Sequence, residues 1–415
     1  MNAEIITIGD EILIGQVVDT NSAFLATELN KLGISVVQIT SVPDIRESIM
    51  KALDNAMTRA GLIIMTGGLG PTSDDITKHT LAEYFGTRLV ENQAVVEQIR
   101  SLMGIRGVVM SERNRKQAEL PEECELLHNS VGSAQGMWFR KDGAHIISLP
   151  GVPFEMEAIY LEELRQRLKD RFTLPVIHHI TILTHGVPES VMANMIHDWE
   201  IHLPREIKLA YLPSPGILRL RITGKTTRPR EELVAEMEEE KRKLGEIIRP
   251  HIFGYNEDKL EEIVGTLLKE HGFTLSLAES CTGGAISKLI TSIPGSSAYY
   301  KGGIVAYSNE IKTSELDVSP STLMMNGAVS QAVVEQMAEG VRTRFGTDFS
   351  VAVSGIAGPE GGTAEKPVGT TWIAIASKKR VVSHAYNFGE HRGRNIQKAS
   401  IAGLFMLNKE IRDCL

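Results

Sequence analysis

Short apolar runs alternate with longer amphipathic stretches along the start of the chain. Residues 4–9 (EIITIG), 34–40 (ISVVQIT) and 62–66 (LIIMT) are nearly unbroken apolar runs, as expected of strands buried on both faces. Between them, the stretch from the Asp19–Ser22 cap to Lys31 and the stretch from Asp44 to Ala60 carry helical spacing. This β-α-β-α-β order predicts a parallel sheet with helices on its faces. A further strand at 144–149 (AHIISL) and a helix to residue 170 complete that unit. After Leu174-Pro175 the pattern changes to strand 176–184, helix 188–200, strands 206–212 and 217–223, a charged helix 229–247 and a short strand 250–253. That order is β-α-β-β-α-β, the ferredoxin-like arrangement. The last part reads as helix 258–271, strand 273–277, helix 285–290, strand 302–307, a helical turn from Ser308 and helix 330–344. Strands 349–353, 370–376 and 381–388 and a helix from Arg394 follow. The expected architecture is α/β: two α/β three-layer domains, 1–172 and 255–415, flanking a small α+β ferredoxin-like domain, 173–254.

Composition narrows the function classes. A chain of 415 residues is too long for one ordinary core. With 42% hydrophobic and 23% charged residues it is globular in character. A net charge of −8 and the lack of a long Lys/Arg block disfavour direct nucleic-acid binding. The start, Met1-Asn2-Ala3-Glu4, has no basic region before its apolar run, so no signal peptide is expected. No apolar run reaches membrane-spanning length, so no membrane partner is expected. Cys124, Cys281 and Cys414 form no CxxC pair, which points to a reducing cytoplasm and no zinc knuckle.

The chemistry concentrates at turns after strands. In Ala278-Glu279-Ser280-Cys281-Thr282-Gly283-Gly284 a strand turns through small hydroxyl residues and paired glycines into a helix. The N–H groups of that helix start are expected to offer a site for an anion or a developing oxyanion. Ser280 stands on the turn as either a cap or a nucleophile, and Cys281 is a rival nucleophile or an apolar thiol. No histidine is well placed as its base: His271 lies at the far end of the strand, His384 within a strand and His391 in a loop. Tyr307 and Lys312 fall at the same sheet edge as Ser280 if the strands are parallel, and a desolvated lysine serves as a base. Arg392 and Arg394 open the last helix, where an arginine clamps a phosphate or simply lies in solvent.

In the first unit, Gly67-Gly68-Leu69-Gly70-Pro71-Thr72 has the form of a phosphate cradle at the carboxyl end of a strand. Asp74 and Asp75 follow it, and Asp10, Glu11, Asp19 and Glu155 also fall on loops after strands. Converging carboxylates there suit a hard divalent cation and pyrophosphate chemistry, although helix capping accounts equally for Asp74 and Asp75. His178 and His179 are neighbours on a strand and point to opposite faces, which makes them ordinary strand residues.

The stretches AESCTGG (278–284), GGIVAYSNEIK (302–312), SGIAGPEGG (354–362) and KPVGT (366–370) closely resemble the CinA C-terminal domain, a family that includes nicotinamide mononucleotide amidohydrolases. GDEILIG (9–15), DTNS (19–22), TGGLGPTSDDIT (66–77) and LPGVPFEM (149–156) resemble the CinA N-terminal domain, related to molybdopterin-binding proteins of the MoaB/MogA type. The resemblance spans essentially the whole chain. It implies Ser280 as nucleophile on the nicotinamide carboxamide, with Tyr307 and Lys312 at the activating positions and Lys312 preferred over Tyr307 as the base. Substrate contacts are implied for Glu279, Thr282, Gly283, Gly284, Gly355, Ile356, Ala357 and Gly358, and for Arg394 with Arg392 as its rival. For the N-terminal domain it implies ADP-ribose pyrophosphatase activity, with Gly67, Gly68, Gly70 and Thr72 on the substrate and Asp10, Asp74 and Asp75 on a divalent metal ion. The same fold also binds a molybdopterin-like ligand without cleaving it. The family further implies a homodimer, and its name a role in competence or DNA damage.

Overall fold

The structure is a computed structural model that describes residues 1–72, 75–105, 107 and 109–415. Two compact units result, Met1–His178 with Gly224–Leu233, and His179–Thr223 with Val234–Leu415.

In the first unit the sheet runs Ser35–Val42, Asn2–Ile8, Leu62–Thr66, Ala144–Leu149, Gly136–Lys141, Glu125–Leu127. The first four strands are parallel, and the last two are antiparallel additions. Successive strand residues feed opposite cores. Ile6, Ile63, Met65 and Ile146 join one apolar cluster; Ile5, Leu62, Ile64 and Ile147 join the other. Both faces are thus covered, which is why these strands read as continuous apolar runs. The antiparallel strands are the part of this sheet that the periodicity does not announce. The helix Thr20–Lys31 starts where expected, with Asp19 accepting the N–H of Ser22 at 2.9 Å.

The middle segment forms a four-stranded sheet in the order Ile207–Ser214, Ile217–Thr226, Val176–Thr184, Ile252–Tyr255, with helices Glu189–Ile201 and Arg230–Ile248 in the connections. That is the ferredoxin-like order. Leu183 and Phe253 belong to the same apolar cluster as Leu404 and Leu407 of the last helix. His179 Nδ1 lies 2.9 Å from Thr223 Oγ1, a strand-to-strand contact.

The C-terminal sheet runs Tyr300–Val305, Leu275–Glu279, Phe349–Gly355, Thr370–Ser377, Val381–Asn387. Its first three strands are parallel and its last two antiparallel. One face presents small residues, Ala278, Ala352, Ala374 and Ala376, to the helix Gln331–Phe345. The other presents Leu275, Leu277, Val351 and Ile373 to the helix Arg392–Cys414. The strand expected at 273–277 lies at Leu275–Glu279, because Glu279 pairs with Val305 on one side and Val353 on the other. Three loops therefore leave the same edge, those after Glu279, Val305 and Gly355.

Candidate active site

The loop after Glu279 continues the ladder by one bond, Ser280 N–H to the carbonyl of Val353 at 2.9 Å. It then turns through Gly283 and Gly284, and Gly284 at φ 98° starts the helix Ala285–Thr291 in a left-handed conformation natural to glycine.

The anion expected at this helix start comes from the chain itself. Glu279, 1% exposed, accepts from the N–H groups of Gly284 (3.1 Å), Ile286 (3.1 Å) and Ser287 (2.8 Å) and from the Ser287 hydroxyl (2.7 Å). Its carboxylate fills the site that the sequence leaves open to a ligand anion. It organises the loop from within, as the reach of a strand-end glutamate allows. Among the described residues no protein oxygen accepts from the N–H of Cys281 or Thr282, and the Thr282 hydroxyl is buried without a partner.

Parallel pairing of the first two strands brings Ser280 beneath the helix Asn309–Leu316. Ser308 caps that helix by accepting the N–H of Ile311 at 3.3 Å. One turn on, Lys312 points inward and is 2% exposed. Its Nζ donates to Ala306 O at 2.8 Å and to Ser280 Oγ at 3.1 Å. Burial lowers the lysine pKa, opposed only by the nearby Cys281. No carboxylate accompanies the amine among the described residues, so no anion offsets the cost of burying its charge. Cys281 is buried as well, and burial pushes its thiol up to about 12, which leaves it protonated at neutral pH.

Tyr307 lies further out, mostly exposed, and its hydroxyl accepts from Arg392 at 3.1 Å. Arg392 also donates to Gly358 O at 2.8 Å. Arg394 is exposed, and its backbone N–H donates to His391 Nδ1. Thus Lys312 rather than Tyr307 touches Ser280, and Arg392 rather than Arg394 joins the glycine turn. Gly355 packs against the serine loop: a Cβ there meets Cys281 Sγ at 3.0 Å and Thr371 Oγ1 at 2.6 Å. Ile356 is pinned through its N–H to Thr370 O, and Ala357 O accepts from Asn395 Nδ2 at 3.0 Å. Asn395 also donates to Gly389 O at 2.8 Å and is nearly inaccessible. It escaped the sequence reading because an asparagine in the first turn of a helix carries no signal of its long-range partners.

A second cleft, of about 520 Å³, opens at the carboxyl ends of the first unit's strands. Gly67, Gly68, Gly70, Thr72 and Asp75 line it, with Glu11 and Glu155. Gly67 has φ 117°, and a Cβ there falls 2.1 Å from Ile8 O, so only glycine lets the two strand ends meet. Asp75 accepts from the N–H of Thr72 at 2.9 Å and from its hydroxyl. Asp44, absent from the expected set, lines the cleft too. Burial, and then Asp10, Glu11 and Asp75, push its carboxyl above the usual range against a backbone bond from Asp10. Among the described residues no group of three His, Cys, Asp or Glu side chains is gathered closely enough to hold an ion; Asp74 lies outside the described residues.

Three family models tile the chain: a probable molybdopterin binding domain over residues 4–170, a damage-inducible protein CinA KH domain over 179–254 and a CinA C-terminal domain over 257–411. A CinA-like protein of Cytophaga hutchinsonii is 47% identical over 411 residues, 99% of this chain and 98% of the relative.

The chain belongs to the CinA family.

A second CinA-like protein, from Flavobacterium psychrophilum, is 45% identical over 99% of both chains. A solved structure of the competence/damage inducible protein CihA from Agrobacterium tumefaciens shares 39% identity, covers 37% of this chain and 95% of its own, and has a TM-score of 0.36. The Ser280–Lys312 pair lies within the CinA C-terminal match, and the glycine-lined cleft within the molybdopterin-binding match. No helix among the described residues is long and apolar enough to cross a membrane.

Proposed function

We propose that the C-terminal unit of this CinA-family chain is an amidohydrolase that converts nicotinamide mononucleotide to nicotinic acid mononucleotide and ammonia. The single observation that carries this reading is the buried Lys312 amine, without a carboxylate partner among the described residues, 3.1 Å from Ser280 Oγ. A neutral amine accepts the Ser280 proton as Oγ attacks the carboxamide carbon. The ammonium so formed returns that proton to the departing nitrogen, and ammonia leaves an acyl ester on Ser280. Water then attacks the ester, Lys312 takes its proton, and Oγ leaves with a proton as the acid is released. The N–H groups of Cys281 and Thr282, which no protein oxygen among the described residues accepts, are the oxyanion donors of this scheme, and we assign the nucleotide phosphate to Arg392, which reaches the glycine turn at Gly358. The test is ammonia release from nicotinamide mononucleotide by Ser280→Ala and Cys281→Ala. The serine variant loses activity and the cysteine variant keeps it; the reverse pattern makes Cys281 the nucleophile.

The N-terminal cleft we read as an ADP-ribose pyrophosphatase site, on the strength of its crowded carboxylates beside a glycine loop. Oxygen donors of this kind suit a hard divalent cation. The family pattern offers it Asp10, Asp74 and Asp75, of which Asp75 lines the cleft, Asp10 is not part of its lining and Asp74 lies outside the described residues; the described carboxylates alone do not gather into an ion site, and a bound ion would neutralise pyrophosphate charge. In this chain the loop Gly67–Thr72 positions the phosphates by its backbone. Release of AMP from ADP-ribose, abolished by chelation and by Asp75→Ala, is the expected result; binding without cleavage makes the unit a module for a molybdopterin-like ligand. We propose a cytoplasmic homodimer, which light scattering on the purified chain tests for its dimeric part.

A further inference from the structure

We infer that Gln117 reads the amino-substituted edge of a nitrogen heterocycle in the N-terminal cleft. Gln117 lies between two lobes: the glycine-lined cleft already described, and a neighbouring hollow of about 360 Å³ lined by Lys78, His79, Arg113 and Lys116. It lines both, together with Leu69, Gly70 and Pro71.

Three observations make it a built position. Its backbone is tied on either flank, with Lys78 Nζ donating to Lys116 O at 2.7 Å and the N–H of Asn92 donating to Ala118 O at 2.9 Å. Just upstream, Arg115 pairs with Glu91 through two bonds, 2.6 and 3.1 Å. The Gln117 side chain is only 5% exposed, yet its Oε1 is buried without a partner among the described residues. A native fold rarely leaves a buried carbonyl oxygen unpaired, and a bound ligand or an ordered water is what completes it.

The chemistry of the group limits what completes it. Oε1 only accepts, so its partner brings an N–H or O–H; a phosphate ionised at neutral pH brings none. A carboxamide presents an acceptor and a donor side by side in one plane, which matches an amino group beside a ring nitrogen, as when glutamine reads adenine. Leu69 and Pro71 supply apolar surface for the ring. Adenine and pterin share this edge, and the inference covers both.

It rests on the reading of this cleft as a ligand site, and the test separates the two. The full chain and Gln117→Leu are titrated calorimetrically with AMP and IMP, and with pterin and lumazine. Each second compound of a pair carries oxygen in place of the amino group. Only binding that Gln117→Leu weakens is attributed to the cleft. The wild type is expected to prefer the amino member of one pair by about tenfold, and Gln117→Leu to abolish that preference. A preference within the purine pair assigns an adenine nucleotide, and one within the pterin pair a pterin. Equal affinity within both pairs for the wild type, which needs no variant to fold, overturns the inference, as does a preference that survives in Gln117→Leu. ADP-ribose cleavage is followed in parallel. An amino preference without cleavage sinks the pyrophosphatase reading and leaves Gln117 standing; cleavage without the preference does the opposite.

Discussion

Replacing Lys312 by methionine keeps the length and shape of the side chain and removes its nitrogen, so it isolates the base. Loss of a positioned general base costs about 10²- to 10⁴-fold in turnover. Stability moves much less. Ala306 O and Ser280 Oγ lose a donor, and an unpaired buried acceptor costs about 1–3 kcal/mol. Against this, the variant no longer buries an ionisable amine, a relief of about 1.4 kcal/mol per unit by which burial lowers the lysine pKa. The two terms oppose, and the net change at neutral pH is expected within about 2 kcal/mol. The pH dependence supplies the sign. Between the lowered value of the folded state and the ordinary 10.5, the unfolded chain binds one more proton at this lysine than the folded chain. Wild-type stability from this group therefore rises with pH through that window, by up to about 1.4 kcal/mol per unit. Activity rises over the acid side of the same titration and reaches its plateau below 10.5. The assay is ammonia release from nicotinamide mononucleotide over a pH series, with urea unfolding at the same pH values. Lys312→Met is expected to lose both the activity and this part of the stability slope. If it works within tenfold of the wild type, or keeps the acid limb, the serine–lysine mechanism is wrong.

Other perturbations reach the site from its surroundings. Glu279→Gln puts an amide N–H₂ where N–H groups already point, so a loss of about 2–4 kcal/mol in unfolding free energy and a fall in kcat are expected, read by thermal melts and kinetics. Gly340→Ala places a Cβ 1.9 Å from Leu316 O, at the end of the helix that carries Lys312; a loss of about 1–3 kcal/mol with reduced turnover is expected, and an unperturbed kcat would show that the helix has room to shift. Arg392→Ala is expected to raise KM for the mononucleotide about tenfold or more while Arg394→Ala leaves it within twofold, and a reversed pair would return the phosphate to Arg394.

Much of the architecture was readable along the chain because it depends on short-range periodicity. Apolar runs such as 62–66 and 349–353 are buried on both faces, and the helices between them cover those faces, so element order follows from spacing alone. The motif turns were legible for the same reason: small residues and glycines mark where a strand ends. The antiparallel strands Gly136–Lys141 and Glu125–Leu127 were not, since a short strand added at a sheet edge has no period of its own. Site chemistry required the third dimension. Sequence placed Ser280, Tyr307 and Lys312 at one edge and preferred Lys312 as the base; only parallel register across a separation of 32 positions puts the amine on the serine. It read the helix start after Gly284 as an open anion site, whereas folding lets Glu279 turn back and fill it. It put Arg394 ahead of its rival Arg392, two residues apart on one helix; which of them reaches Gly358 is set by the fold, and it is Arg392. Asp44 read only as the start of a helix and Gln117 passed unnoticed, for a carboxylate repelled by three others and a buried amide oxygen without a partner among the described residues are facts about neighbours distant in the chain. Periodicity is a property of adjacent residues and survives in one dimension; protonation, pairing and burial at a site are sums over residues that only the fold brings together.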